Sequence, residues 1–524
     1  MELNLFGRFF EQTAEPEAPE YYDSIFLRLY SNQTDLGDRI RPGGNGGGLT
    51  TFGDAVLLLS WDGQVFSARS ADEVSETNII TPDNGYSAYL RAAESEQFKD
   101  LNHEFGLHRY NDILFYESGN NRGLAISYTE FDGVENCYRN TIAILPLASD
   151  IQSVNQLSAE ADDWDILYRT KPCLPFKSMM TALNGGPAGG RMAFQPPSTL
   201  YLGSGDYSWD GVYSHKAIAQ NPEMEYGKII GIDLESREHH VVASGIRNPQ
   251  GVVLDQAGSL WIVEHGLRGG DELNRIEEGK NYGWPVETLG TQYSKLPVPE
   301  STSQSYGRHE NFTEPTFSWL PSVAISNLTL IDGFHESWDG DLLMGSLKSM
   351  SLFHIRIKEN RVMFSEQIEI GERIRYVHQH TDGRLILWTD SEKLIFLTGK
   401  PFTDNLVDDY LVKTIEEEQL RSRIKTTIDA CRQCHSIDPG DHANAPSLAL
   451  IFDSEIGSTE YENYSTGLKT KQGYWTRQNL KQFLLDPEKF APGTNMPDPG
   501  INDEATLEEL INLLEAFRSR DMDI

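Results

Sequence analysis

One short pattern of hairpins repeats along most of this 524-residue chain. From about residue 25 to residue 400, β-rich runs alternate with turns built on Asp-Gly or a similar pair, as in the run from Ala55 through Asp62-Gly63 to Phe66. Such runs are hairpin signatures. Amphipathic helical segments are nearly absent from this region, so its apolar residues must be buried between sheets.

Hairpins that recur over about 375 residues predict a mainly β fold. The favoured architecture for residues 25–400 is a six-bladed β-propeller with four-stranded blades, because a sandwich rarely grows this large. A pair of stacked β-sandwiches is the alternative. Residues 1–24 are acidic, contain Pro16 and Pro19, and are predicted to form a disordered tail.

The charge balance narrows the range of partners. The chain has 44 Lys and Arg against 79 Asp and Glu, a formal charge of -35. Such a surface repels nucleic acid and anionic membranes, which leaves neutral small molecules, cations or basic proteins. A simple solvated acidic surface also accounts for this charge. No apolar run reaches the roughly 18 residues of a membrane span.

The motif Cys431-Arg432-Gln433-Cys434-His435 is the most specific short pattern in the chain. Two thiols one helical turn apart form thioethers with a porphyrin, and the next residue reaches the iron. The motif therefore predicts one covalent c-type haem on Cys431 and Cys434, with His435 as an axial ligand. A redox dithiol or half a zinc site is disfavoured by the adjoining histidine and by the lack of a second cysteine pair.

The sixth iron ligand should come from a distant loop on the other face of the haem. Met496, in the loop Pro492-Gly493-Thr494-Asn495-Met496-Pro497, is predicted to supply this thioether. His442 is the rival ligand, but it follows the attachment motif too closely to cross the haem plane.

The pattern after residue 400 is helical. Residues 406–427 lack Gly and Pro and predict a linker helix, assigned to 401–425. Thr476 is predicted to cap a later helix, and a capping box at Thr506 is predicted to open the last one. These elements predict a small all-α domain over residues 426–524.

Residues 426–524 resemble class I cytochrome c. The resemblance rests on the attachment motif, Trp475, the Asp486-Pro487 pair, the Met496 loop and the terminal amphipathic helix. Trp475 either lines the haem pocket or is an ordinary core residue. Bacteria attach c-type haem outside the cytoplasm, so the resemblance implies a periplasmic or other extracytoplasmic location. The first residues, with Glu2, do not form a signal peptide, so we expect a signal upstream of this numbering or already removed.

A second region is rich in side chains that bind carboxylates and metals. It contains Arg247-Asn248-Pro249-Gln250-Gly251 and the stretch 264–285, where glycines allow close backbone approach. Lys348, Arg373 and Arg375 add three cations to an acidic chain. Arg373 and Arg375 alternate along a strand and therefore share one face, which a polyanionic cofactor can occupy.

This region, most clearly from about 185 to 395, resembles the soluble pyrroloquinoline-quinone-dependent sugar dehydrogenases, the glucose/sorbosone dehydrogenase family of six-bladed propellers. The resemblance implies that six residues hold the tricarboxylic quinone, PQQ: Arg247, Asn248, Gln250, Lys348, Arg373 and Arg375. It implies calcium on the backbone carbonyls of Gly266 and Leu267. Asp271, Glu272 and Tyr282 either support a calcium site or have ordinary turn and strand-end roles.

One departure from the family concerns catalysis. Where the family has its general-base histidine, in a His-x-Gly-Gly-Arg motif, this chain has Pro187-Ala188-Gly189-Gly190-Arg191. Proline cannot accept the hydroxyl proton of an alcohol, and losing a positioned base typically costs about 100- to 10,000-fold in rate. Asp206 and His215 are the candidate substitutes.

The sequence thus predicts a quinohaemoprotein oxidoreductase. PQQ would oxidise a neutral sugar or another alcohol, and electrons would leave through the haem to a redox partner protein or a component of the quinone pool. The alternative is a catalytically impaired propeller that acts as a binding module beside an electron-transfer cytochrome. A quinone-independent oxidation has little sequence support. Whether Cys137 and Cys173 form a disulfide stays open.

Overall fold

The computed structural model describes residues 21–517 except 38, 40–45, 102, 104, 120, 177–184, 213, 215, 299–306, 402–403, 438–443, 450, 459–460 and 462. Two compact units make up the chain, Met1–Lys400 and Pro401–Ile524. Six sheets in the first unit form the predicted six-bladed β-propeller. In the described residues, no helix is long and apolar enough to cross a membrane.

The chain enters the propeller through two strands and then builds its first two blades. The entering strands are β1 (Tyr21–Asp23) and β2 (Leu27–Asp35). Blade one consists of β3 (Gly47–Phe52), β4 (Ala55–Ser60), β5 (Val65–Ser70) and β6 (Glu73–Glu76). The next elements are β7 (Asn78–Ile79), α1 (Tyr86–Ala93), β8 (Tyr110–Ser118), β9 (Asn121–Asp132), β10 (Cys137–Pro146), β11 (Ser158–Ala159), β12 (Asp165–Arg169) and β13 (Leu174–Pro175). Blade two contains β8, β9, β10 and β12, while β13 pairs with β10 and β7 pairs with β11.

The remaining four blades follow in chain order. Blade three consists of β14 (Gly189–Gln195), β15 (Thr199–Ser204), β16 (Lys228–Asp233) and β17 (His239–Ser244). Blade four consists of β18 (Pro249–Leu254), β19 (Leu260–Glu264), β20 (Asp271–Ile276) and β22 (Phe317–Trp319). Between β20 and β22, the short strand β21 (Lys280–Asn281) pairs with β17 of blade three. Blade five consists of β23 (Ile325–Leu330), β24 (Leu342–Ser346), β25 (Ser351–Lys358) and β26 (Arg361–Glu369). Blade six contains β27 (Ile374–Gln379), β28 (Leu385–Thr389) and β29 (Lys393–Pro401).

The beginning of the chain completes the last blade, whose strand order is β1-β2-β29-β28-β27. The prediction of a disordered tail is therefore wrong for residues 21–23, which pair with β2. The physical reason is apolar burial, since Tyr22, Leu27 and Leu29 pack into a core with residues of blades five and six. Residues 1–20 of the predicted tail lie outside the described residues.

Burial between blades explains the apolar runs of the sequence. All six residues of β4 are buried, because both faces of a middle strand are covered by neighbouring blades. Cys137 and Cys173 form a disulfide, with 5.6 Å between their Cα atoms. The bond links β10 to the segment just before β13. The sequence alone did not decide whether these two cysteines pair.

Arg191 joins the inner strands of five blades at the centre of the ring. From β14, its Nη1 donates to the carbonyl oxygens of Gly47 and Asn111, both at 2.9 Å. Its Nε donates to the carbonyl of Gln250 at 3.0 Å. The guanidinium also lies 4.4 Å from the ring centroid of Tyr376. One buried side chain thus contacts β3, β8, β18 and β27.

The second unit contains six helices in its described residues: α2 (Asp404–Thr414), α3 (Glu418–Arg432), α4 (Thr466–Lys469), α5 (Arg477–Leu485), α6 (Pro487–Phe490) and α7 (Glu504–Ala516). The prediction of one linker helix is wrong, because residues 406–427 fall in two helices. Both belong to the unit's core, since Leu411 and Ile415 on one side of the break and Ile424 and Ile428 on the other are buried there.

The predicted cap of α5 is confirmed, and the predicted start of α7 is wrong. Thr476 caps α5 as predicted, with its Oγ1 accepting a hydrogen bond from the Asn479 amide at 3.2 Å. The predicted start at Thr506 is wrong, because α7 begins at Glu504. The carboxylate of Asp503 accepts from the Thr506 amide at 2.8 Å and so caps the helix earlier.

A buried charged cluster surrounds His354 in blade five. Its Nε2 donates to Asp341 Oδ2 at 2.7 Å and its Nδ1 donates to Glu366 Oε2 at 3.2 Å. Because both ring nitrogens face carboxylates, this environment favours the doubly protonated imidazole. Burial lowers the pKa of His354, but the hydrogen bonds to Asp341 and Glu366 outweigh burial and raise it above 6.5. The Glu366 carboxylate also accepts from the Ile25 amide, so the cluster anchors the entering strands.

We expect His354→Gln to destabilise the propeller more at about pH 6 than at about pH 9, because a raised histidine pKa contributes stability that is lost as pH rises through the folded-state value. Thermal unfolding followed by circular dichroism at the two pH values measures this difference. His240→Gln is the matched control, since His240 is exposed. An equal loss at both pH values would contradict a charged His354.

Candidate functional site

Topology places the predicted quinone ligands at one end of the propeller. The inner strands β14, β18, β23 and β27 contact one another in sequence around the ring. Arg247 precedes β18, Lys348 follows β24, and Arg373 precedes β27. In a propeller of antiparallel blades, the segment before the inner strand of a blade and the loop after the second strand of that blade lie at the same end of the ring. The predicted residues therefore lie together at this end.

Arg247 is the centre of the blade-four part of the site. Its Nη1 donates to the carbonyl oxygens of Gly266, at 2.7 Å, and His265, at 3.1 Å. Its guanidinium lies 5.4 Å from the ring centroid of Trp284. The Nε atom is buried and has no hydrogen-bond partner among the described residues. A buried donor of this kind indicates a missing acceptor.

Asn248 and Gln250 form a pair beside Arg247. Both side chains are buried. Asn248 Oδ1 accepts from Gln250 Nε2 at 2.8 Å and from the Gly189 amide at 3.2 Å. The pair thus connects the start of β18 to the segment that contains Pro187.

The blade-five and blade-six cations lie together. Arg373 Nε and Arg375 Nε donate to the two oxygens of Asp390, at 2.9 and 2.7 Å. Arg373 also donates to the carbonyl of Leu347, next to Lys348. Lys348 Nζ donates to the carbonyl of Ser322 at 3.0 Å. Since one carboxylate serves two arginines and Lys348 contacts a neutral oxygen, these four side chains together carry net positive charge.

Two of the possible calcium residues have structural roles. Asp271 is fully buried, and its Oδ1 accepts from the Gly266 amide at 3.0 Å. Its Oδ2 accepts from Ser322 Oγ and from the amides of Val323 and Ala324, at 2.7 to 2.9 Å. It therefore joins the Gly266 loop to the loop that contacts Lys348. Tyr282 donates its hydroxyl to the carbonyl of Arg275.

Buried carboxylates line a small cavity beside Arg247. Glu264, Glu272 and Glu287 face it together with His265. Burial raises the pKa of Glu264 to about 7 and, with the charge of Glu264, raises that of Glu272 well above its usual range. The described residues nevertheless contain no set of three or more His, Cys, Asp or Glu side chains positioned to hold a metal.

The predicted calcium ligands do not form a ready cation site. The Gly266 carbonyl accepts from Arg247, so that oxygen already has a cationic donor. Leu267 lies in a tight turn, where it pairs with Gly269. Calcium on Gly266 and Leu267 stays a prediction.

Of the two candidate bases, Asp206 lies within the described residues. Asp206 is fully buried, and its oxygens accept from the Ser208 amide at 2.9 Å and from Trp284 Nε1 at 2.7 Å. Burial and the nearby charge of Asp210 raise its pKa to about 7. With both oxygens engaged, Asp206 orients the indole that lies over Arg247. His215 lies outside the described residues.

Sequence reasoning missed three residues at this end of the ring: Arg109, Asn111 and His265. Asn111 Oδ1 accepts from Arg109 Nε at 3.4 Å, while the buried Asn111 Nδ2 has no partner among the described residues. Burial lowers the pKa of His265 to about 4, and the charges of Arg247, Arg375 and Arg109 act in the same direction. His265 stands inside a motif that the sequence had singled out. Arg109 directly precedes β8 and Asn111 is its second residue, and neither position gave a local signal in the sequence.

These donors suit a ligand that is rich in anionic oxygens. Arg247 Nε and Asn111 Nδ2 are buried donors without protein acceptors in the described part of the chain. Lys348 contributes a charge that forms no ion pair with a carboxylate among the described residues. Carboxylate groups satisfy both needs, because charge-assisted hydrogen bonds are strong. The residues present therefore fit a tricarboxylic quinone.

The second unit contains a cavity of about 590 Å³, within the size range of cofactor pockets, roughly 300–1,000 Å³. Cys431, Cys434, His435 and Met496 all line it. Both cysteines are free thiols. His435 Nδ1 donates to the carbonyl of Pro446 at 2.6 Å, which leaves the lone pair on Nε2. The residues fit a c-type haem with His435 and Met496 as ligands.

Two further residues were considered in relation to the haem, Trp475 and His442. Trp475 lines this cavity and is also a buried member of the unit's core. His442, the rival iron ligand, lies outside the described residues.

Residues 114–397 match the model of the glucose/sorbosone dehydrogenase family. The chain belongs to this family. It is 33% identical over 250 residues to an uncharacterized protein of Synechocystis sp., covering 44% of this chain and 57% of that protein. It is 30% identical over 244 residues to the aldose sugar dehydrogenase YliI of Escherichia coli, covering 43% of this chain and 63% of the relative. The chain thus spans less than two thirds of these relatives.

The C-terminal part matches different proteins. It is 35% identical over 92 residues to cytochrome c of Ginkgo biloba, covering 17% of this chain and 81% of that protein.

The apo form of the soluble aldose sugar dehydrogenase of Escherichia coli superposes with a TM-score of 0.55 at 23% identity, over 71% of this chain and 99% of that one. The protein is therefore a sugar-dehydrogenase-type propeller fused to a cytochrome c domain.

We expect Met496→His to retain covalent haem and to lower its reduction potential, because an imidazole replaces the thioether that favours ferrous iron. Redox titration followed by haem absorbance measures the potential. Asn495→His is the control, since it adds the same side chain one residue away, on an exposed position of the same loop. An unchanged potential in Met496→His would exclude Met496 as the ligand.

Proposed function

We propose that this chain is a quinohaemoprotein oxidoreductase that oxidises a sugar or another alcohol with bound PQQ and passes the electrons to a covalent haem c. The observation that carries the proposal is the group of donors at one end of the propeller that lack acceptors among the described residues. The second unit of the same chain has a cavity lined by Cys431, Cys434 and His435. Bound PQQ supplies a two-electron acceptor for the alcohol. Tethering the haem unit raises the effective concentration of the next acceptor.

The protein's own residues bind and orient the cofactor. Lys348, Arg373 and Arg375 of blades five and six attract its carboxylates, and Arg247 of blade four offers a buried donor. Asn248 and Gln250 fix the start of β18 against the Gly189 segment. Asp271 keeps the Gly266 loop and the Ser322 loop in register.

Calcium is a further part of the proposal, on the carbonyls of Gly266 and Leu267. For the Gly266 oxygen to bind a cation, the Arg247 guanidinium must leave it. That movement would free the guanidinium for a ligand carboxylate, so calcium and quinone binding would support each other. Glu272, which faces the neighbouring cavity, would gain a cation that favours its ionised form.

The proposed oxidation requires a base that removes the hydroxyl proton of the substrate. Pro187 is buried in the position of the family's base, and its carbonyl accepts from the Tyr207 amide at 3.1 Å. Asp206 has both oxygens engaged. These observations favour slow turnover and also support the second candidate function, a propeller that binds its ligand without oxidising it.

The remaining features of the proposal concern partners and location. We propose a small neutral substrate, such as a sugar, and a redox partner protein or a component of the quinone pool as the final acceptor. The Cys137–Cys173 disulfide favours an oxidising compartment, in agreement with a periplasmic or other extracytoplasmic location.

We expect the full chain to bind PQQ in a calcium-dependent way, and Lys348→Ala to weaken binding by about 1–3 kcal/mol, because the variant removes one charge-assisted hydrogen bond. Isothermal titration calorimetry with and without calcium measures both effects. Lys358→Ala is the control, since Lys358 is an exposed lysine at the other end of blade five. No heat of binding at micromolar PQQ with calcium present would defeat the quinoprotein proposal.

We expect Pro187→His to raise turnover of aldoses and alcohols by about 100-fold or more, because a positioned base typically contributes that much. The residue-187 carbonyl and its bond to Tyr207 remain available in the variant. Steady-state assays with artificial acceptors measure turnover, and calorimetry should give an unchanged PQQ affinity. Pro187→Ala removes the ring without adding a base and should stay slow. Fast turnover in the unmodified protein would show that another residue is the base, with Asp206 the first to test.

A further inference from the structure

The mouth of the haem cavity is formed by small or uncharged side chains. We define this mouth as the exposed residues that line the cavity, chiefly Thr426, Ala430, Cys434, Asn444, Asn463 and Asn495, together with Asp498. Within the described lining, Asp498 is the only Asp, Glu, Lys or Arg. The mouth thus carries one negative charge and no positive one.

Two cations of α3, Lys425 and Arg432, are paired with acids. Lys425 lies 3.2 Å from Asp408 and 3.4 Å from Asp429. Arg432 lies 4.0 Å from Asp429. The charges of Lys425 and Arg432 are therefore balanced by those of Asp408 and Asp429.

Asp498 itself is open to solvent. Its Oδ1 accepts from the Gly500 amide at 2.9 Å, and no ion pair with a basic side chain is found in the described part of the chain. The surrounding unit has the same sign, since residues 401–524 contain 23 Asp and Glu against 12 Lys and Arg. The mouth is thus a neutral contact surface in a negative field.

We propose that this mouth docks a basic redox protein, one with an uncharged contact patch ringed by lysines. Charge complementarity of this kind steers encounter and orients the partner, while the small side chains permit close approach. In the step itself, a bound ferrous haem would give one electron to the partner's metal centre, with no bond broken and no proton moved. The inference rests on the haem half of the proposed function and is independent of the quinone chemistry.

Docking is tested first without electron transfer. Zinc-substituted, lysine-rich cytochrome c is titrated into the haem-loaded full chain by calorimetry, at about 10 and about 150 mM salt, because the Debye length falls to roughly 8 Å at the higher value. We expect the dissociation constant to rise at least tenfold at the higher salt. Asp498→Asn should raise it about two- to fivefold at low salt. Glu515→Gln, which removes the same charge at a residue outside the cavity lining, should change it less.

Electron transfer gives an independent readout. The reduced haem is mixed with a cationic cobalt(III) phenanthroline complex or with anionic hexacyanoferrate(III), and its oxidation is followed by absorbance. Rising salt should slow the cationic oxidant and accelerate the anionic one, and Asp498→Asn should diminish both trends.

Several results would overturn the proposal. They are salt-independent docking, equal effects of Asp498→Asn and Glu515→Gln, and oxidation by a soluble quinone without any binding of the basic protein. Failure of the haem assignment is distinguishable, because the protein would then lack a haem spectrum before any partner is added.

Discussion

The propeller depends on one buried guanidinium at its centre. Arg191 donates to backbone carbonyls of three other blades and stacks on Tyr376 of a fourth. It also lies 3.3 Å from Asp112, whose pKa burial raises to about 6. Removing one member of a buried ion pair typically costs about 3–5 kcal/mol. The glycines before Arg191 let its strand approach closely, since a Cβ on Gly190 would lie 2.4 Å from that of Asn111. The residues proposed to bind PQQ stand on this ring.

The sequence predicted the parts of this protein that have local signals. Asp-Gly turns predicted hairpins, and their number predicted the blades. Cys431, Cys434 and His435 predicted a haem site because the chemistry is written in five consecutive residues, and Met496 shares the same cavity. Capping was predicted correctly at Thr476 and wrongly at Thr506, where Asp503 is the competing cap. The linker prediction failed because composition suggests a helix and does not reveal which core its apolar stripe joins.

Other features depend on contacts between residues far apart in the chain. Three of the four hydrogen bonds of Asp271 come from residues more than fifty positions away, so no motif distinguishes such a residue from a calcium ligand. Asn111 and Arg109 enter the site through the packing of blade two, and both lie before residue 114, where the match to the family model begins. Asp206 was a reasonable candidate base by residue type. Only the structure shows that Ser208 and Trp284 occupy its two oxygens.

The pairing of β2 with β29 has a consequence for biosynthesis. β2 leaves the ribosome early, but its partner is made more than 350 residues later. Until then, the edge of β2 is unpaired and the ring is open, a state in which exposed strand edges favour misassembly. Contacts so distant in sequence also form slowly. The cytochrome segment follows β29 directly, so its attachment motif becomes available for haem only when the last strand needed to close the ring has been made.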